Sequence, residues 1–168
     1  MISRSDFFAS NRMIFTLDNG HLICTCKVLK YVTNEEEDIK FIHDTGAFIS
    51  TLSRSQYELL DFNQICVDRH DVELGSYNSV TKGLVFTLPF LFVANFTVKN
   101  VQVFVPYSYK HTQNLLAMNV LGLFNQYIET STSSIFLKPH NEKLDFKLIA
   151  ESVFLQEKHC NLPTEEQL

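Results

Sequence analysis

The sequence has no apolar run approaching the ~18 residues of a spanning helix, no cluster of basic side chains and no internal repeat. Its longest greasy stretch, LVFTLPFLFVANF, is broken by Thr87, Pro89 and Asn95. The 14 Lys and Arg are scattered among 19 Asp and Glu, giving a formal net charge of −5. Without a basic footprint, neither nucleic acid nor an anionic membrane is an expected partner. The opening MISRSDFFASNR lacks the apolar core of a secretory signal, so a cytoplasmic location is expected.

Cysteines are few: Cys24, Cys26, Cys66 and Cys160. The first two stand at i, i+2 in a strand-like stretch, where Cα atoms lie ~6.6 Å apart with parallel side chains, which disfavours a mutual disulfide. His21, Cys24 and Cys26 invite a metal reading, but no second ligand pair follows at a zinc-like spacing. Leu22, Cys24, Cys26 and Val28 alternate with Ile23, Thr25 and Lys27, which makes the cysteines small core-facing residues. His70-Asp71 and His159-Cys160 carry no local nucleophile signature. No metal site or cofactor is expected.

What is present is apolar bulk in a period of two. The 168 residues are 45 % hydrophobic and include fifteen Phe, enough to bury one core, so residues 1–168 form a single expected domain. RMIFTL and HLICTCKVL flank Asp18-Asn19-Gly20, whose Asn and Gly tolerate the positive φ of a tight hairpin. TNEEED reads as an exposed acidic loop, and IKFIH as the next strand. Ser53-Arg54-Ser55-Gln56 has the form of a capping box opening a short helix through Tyr57, Leu59 and Leu60. VELGSYNSVTKGLVFTL predicts two strands about a Gly75-Ser76-Tyr77-Asn78 tip, and FTVKNVQVFVP a strand ended by Pro106. In NLLAMNVLGLFNQYI, the spacing of Val120, Leu121, Phe124, Tyr127 and Ile128 predicts a helix, and SSIFLKP a closing strand. EKLDFKLIAESVFLQEKH is ambiguous between strand and helix, and NLPTEEQL reads as a frayed tail.

One stretch carries chemistry. In FIHDTGAFIST, residues 41–51, an apolar strand ends on Asp44, followed by Thr45, Gly46 and Ala47. Gly46 allows close backbone approach and Ala47 keeps that approach open, so Asp44 is presented at a strand's end in a sheltered turn. The plain alternative is a strand-to-helix turn with a solvated Asp.

DTGA followed by Ser50 or Thr51 and a helix, the later Leu115-Leu116-Ala117 leading into a helix, and a hairpin between them resemble the retropepsin-like aspartic proteases over about residues 13–138. The resemblance implies a mainly β, closed β-barrel-like retropepsin fold with one or two short helices. It implies a homodimer in which each copy gives one Asp44, with Thr45 bracing the paired loops. Gly46, Ala47 and Phe48 would lie along a peptide or unfolded-protein substrate, with Gly75, Ser76 and Tyr77 as the flap. The departures are Ala117 where glycine is usual, Phe48 and Ile49 where a substrate-gripping carboxylate is common, and His43 where an apolar residue is usual. On a strand His43 faces away from its neighbour Asp44. A non-catalytic peptide-binding or structural dimer of the same fold is the rival. Residues 139–168 form an extension that either adds an interface strand or covers a sheet edge.

Overall fold

In the computed structural model, residues 11–64, 68–76, 79–140, 157–158 and 164 are described. Tyr77 and Asn78, Cys66, and the His159-Cys160 pair lie outside them. The chain runs β1 Arg12–Asp18, β2 His21–Leu29, β3 Glu36–His43, β4 Ser50–Thr51, a helix Arg54–Leu59, β5 Asp68–Ser76, β6 Ser79–Val93, β7 Phe96–Pro106, β8 Leu115–Leu116, a helix Met118–Leu121, β9 Phe124–Glu129, β10 Ser134–Pro139 and β11 Glu157–Lys158.

Turn chemistry sets the hairpins. Asn19 and Gly20 take φ of 50° and 81°, and Asp18 pairs His21 across that two-residue turn. Val93 pairs Phe96 about Ala94-Asn95, with Ala94 at φ 52°. Ser76 pairs Ser79.

Six strands close a ring. β2 pairs β6, β6 pairs β7, β7 pairs β4, β4 pairs β8, β8 pairs β3, and β3 returns to β2. Pro89, which cannot donate to a ladder, is tolerated inside β6 because it falls where the pairing skips, opposite the left-handed Asn100 at φ 55°. Outside the ring, β1 carries β10 and β9, while β5 extends from β6 and bears β11 on its other edge.

The alternation reads true inside the barrel. Cys24, Cys26, Val28, Ile39, Phe41, Leu88, Leu91, Val93 and Val101 are all buried. Ser53 caps the first helix, its hydroxyl accepting from the Gln56 amide at 3.2 Å, and the helix buries Tyr57 against Phe86, centroids 5.1 Å apart. Tyr57 satisfies its hydroxyl by donating to the Phe62 carbonyl at 3.2 Å.

Two expectations are corrected. The acidic loop ends early: Glu36, Glu37 and Asp38 belong to β3, where cross-strand pairing absorbs them and Lys27 sits 3.5 Å from Glu36. The helix predicted through Ile128 stops at Leu121, and Phe124–Glu129 is instead a strand laddered to β10. There Phe124 is buried while the adjacent Tyr127 and Ile128, on opposite faces, are each 42 % exposed, the pattern of an edge strand and not of one buried helix stripe.

Candidate functional site

β8 is only two residues long, yet it lies between β3 and β4, and the chain from Asp44 to Ile49 joins those two flanking strands. That loop must therefore cross the end of β8. Backbone bonds fasten it there: the Asp44 amide donates to Leu116 O at 3.0 Å, Met118 N to Ala47 O at 3.0 Å, and Asn119 N to Phe48 O at 3.1 Å.

Side chains complete the fastening. The Asn119 Oδ1 accepts from the Ser50 amide at 2.9 Å and from the Ser50 hydroxyl at 2.7 Å, while its Nδ2 donates to Gln102 O at 2.8 Å. The same Ser50 hydroxyl accepts from the Ala117 amide at 3.0 Å. One rung below, Asn114 accepts from the Ser53 amide at 2.8 Å and donates to Lys40 O at 3.1 Å. Ser50 and Ala117 are buried, so these bonds replace water for groups that have none.

Asp44 is half-buried, and its Oδ1 accepts from the Gly46 amide at 2.9 Å. A Cβ at Gly46 would stand 3.3 Å from that same oxygen, so a side chain there would press on the carboxylate, while the φ itself is not left-handed. Thr45 and Gly46 are exposed, Ala47 is half-buried, and Phe48 is 86 % exposed. His43 turns to the other side, its Nε2 lying 2.5 Å from Gln126 Oε1. Ala117, where glycine was the usual residue, is fully buried at φ −107°, a backbone any residue adopts.

The Asp44 loop and the β5/β6 hairpin face a common cleft of about 830 Å³. Gly46, Ala47 and Phe48 line one wall, and Leu74, Gly75 and Thr81 come from the hairpin. Residues 110–113 supply a third side. Ser76 sits at the hairpin's paired end, and Tyr77 is outside the described residues.

No protein-family model matches the sequence, and no curated protein matches it. Solved structures do. A retropepsin-like aspartic protease from Rickettsia conorii superposes with a TM-score of 0.53 at 22 % identity, over 74 % of this chain and 87 % of that one. The fold is retropepsin-like. The retroviral protease-like domain of Ddi1 from Leishmania major is also similar, with a TM-score of 0.44 at 11 % identity over 80 % of this chain and 98 % of that one. The retropepsin-like barrel was expected from the resemblance carried by DTGA, Leu115-Leu116-Ala117 and the hairpin between them, and the two helices are as short as expected.

Sequence reasoning missed Asn119, Asn114 and the wall at 110–113. Asn119 had a signal: it is the polar residue inside LLAMNVLGLF, where a helix-core reading has no use for an amide. Among the described residues no helix is long and apolar enough to cross a membrane.

Proposed function

We propose that the chain is an aspartic endopeptidase that works as a homodimer, hydrolysing peptide bonds by attack of water held between two copies of Asp44. The observation that carries this reading is the placement of Asp44 on a fastened loop whose neighbours Gly46 and Ala47 line a cleft together with Leu74, Gly75 and Thr81 of the β5/β6 hairpin.

One chain supplies one such carboxylate, whereas the chemistry needs two unlike partners. Two carboxylates in contact cannot both ionise cheaply, so they share a proton, as in the aspartic-protease dyad that is the standing example of this effect. The ionised member takes a proton from water while the protonated one polarises the scissile carbonyl. A two-fold axis beside Asp44 brings the second copy, and the titration then belongs to the pair. Thr45, exposed beside Asp44, braces loop against loop across that axis.

The substrate is an extended peptide or unfolded protein lying between Gly46-Ala47-Phe48 and the flap Gly75-Ser76-Tyr77, its backbone adding as a strand and its side chains entering alternate pockets. Neither metal nor organic cofactor takes part, and the working compartment is cytoplasmic.

Casein digestion under mildly acidic conditions tests the proposal. The wild type should cleave and be blocked by a statine-type inhibitor, and Asp44→Asn should lose cleavage while keeping its oligomeric mass. If wild type and Asp44→Asn behave alike toward a diverse peptide library, a peptide-binding dimer replaces the peptidase. The 86 % exposed Phe48, at the place where the sequence resemblance leads one to expect a substrate-gripping carboxylate, favours that second reading.

A further inference from the structure

The cleft brings a cation to an acidic chain. The protein carries a formal −5, yet among the described residues the lining includes Lys110 and His111 and no Asp or Glu. Asp44, the reacting group, adjoins the lining through Gly46. The apolar Phe48, Ile49 and Leu115 line the same cleft.

The segment that presents Lys110 is braced. Arg54 is 5 % exposed, donates from Nη1 to the Tyr107 carbonyl at 2.8 Å, and places its guanidinium 4.4 Å above the Tyr109 ring. The Tyr109 hydroxyl donates to Glu58, which also accepts from Arg54 Nε at 3.2 Å, and the Tyr107 hydroxyl donates to Asp71. The Lys110 amide donates to Ser108 Oγ at 3.2 Å. Two acids among the described residues that touch this segment, Glu58 and Asp71, are thus engaged by tyrosine hydroxyls and Arg54. Among the described residues Lys110 is in none of the ion pairs. The braced backbone therefore brings a cation to the cleft that no acid among the described residues pairs, which leaves it open to a charged group of the substrate.

We propose that the cleft selects peptides with a carboxylate side chain next to an apolar one, Lys110 and His111 reading the carboxylate while Phe48 and Ile49 receive the apolar neighbour. This rests on the peptidase reading for its turnover, and on the cleft alone for its selectivity. The chemistry is that of a partly exposed ion pair, so it discriminates by rejecting lysine as much as by welcoming glutamate.

Peptides of eight residues with a Phe-Leu centre, carrying Glu, Gln or Lys at each flanking position in turn, test it in two assays. The first is cleavage by the wild type, and the second is fluorescence-anisotropy binding to Asp44→Asn, which reads selection without turnover. At one flanking position Glu should exceed Lys by about fivefold in kcat/KM and in affinity, the scale of one such pair. Lys110→Glu should invert that ratio and His111→Gln should reduce it. A Glu-to-Lys ratio that stays the same in Lys110→Glu overturns the inference, even if cleavage is robust. Conversely, wild type that cleaves nothing while Asp44→Asn shows the preference and Lys110→Glu inverts it removes the peptidase reading and supports the selection.

Discussion

The Asn119 amide oxygen takes two hydrogen bonds from Ser50, at 2.9 Å from its backbone nitrogen and 2.7 Å from its hydroxyl, across 69 residues of sequence. The hydroxyl in turn accepts from the Ala117 amide, so a single serine ties the far side of the Asp44 loop to the segment passing behind it. Ser50→Ala leaves that buried amide without its acceptor, which costs about 1–3 kcal/mol. Thermal unfolding should fall by several degrees, and Ser50→Thr should restore much of the loss. A melting temperature equal to wild type would mean the fastening is redundant.

Gly83 faces Pro106 in the β6/β7 ladder, and a Cβ there would lie 2.3 Å from the Val105 carbonyl oxygen and 2.6 Å from the Phe104 ring. Backbone cannot yield cheaply at such distances. Gly83→Ala should lower the urea midpoint by the equivalent of about 2 kcal/mol or more, in the range of overpacked cores.

Arg54 is the buried cation of the helix that follows the loop, bonded to Glu58 and the Tyr107 carbonyl. Arg54→Leu strands that carbonyl and frees the 107–110 segment. Because Glu58 keeps 30 % exposure, the loss should be nearer 2 kcal/mol than the full cost of breaking an enclosed pair. Urea denaturation measures it, and a Glu58→Gln variant that costs as much as Arg54→Leu would assign the effect to the ion pair instead of the carbonyl.

Cys24 and Cys26 are buried as a pair on the barrel side of β2. The hydrogen bond that the Cys26 thiol donates to its neighbour Cys24, reinforced by burial, pushes the Cys26 thiol well above its ordinary range. A group that holds its proton more tightly when folded contributes stability that is complete below the unfolded thiol range and lost as pH rises through the folded value. Iodoacetamide at pH 8 should leave both residues unmodified in the native protein, as read by peptide mass spectrometry, and label both in urea. Native labelling at either one would contradict their place in the core.

Much of the barrel was legible because its signals are local. Asn19-Gly20 fixes a hairpin by backbone chirality, Ser53 and Gln56 fix a helix start, and the alternation through β2 fixes which face is buried. β9 was misread because Phe124, Tyr127 and Ile128 satisfy a helical spacing, and only β10, arriving later in the chain, makes them a strand. β8 is too short to carry any pattern, yet it closes the ring. Asp44 could be singled out from its neighbours, but the groups that fasten it, Ser50 and Asn119, sit far apart in sequence and meet only in the fold.

The most direct measurement of the central claim is peptidase activity of a fixed amount of wild type unfolded and refolded with increasing Asp44→Asn chain. If each site needs one carboxylate from each of two chains, mixed dimers are inactive and activity per wild-type chain falls roughly in proportion to the diluting excess. Activity that stays constant however much Asp44→Asn is added would show that one chain suffices, and would contradict the account.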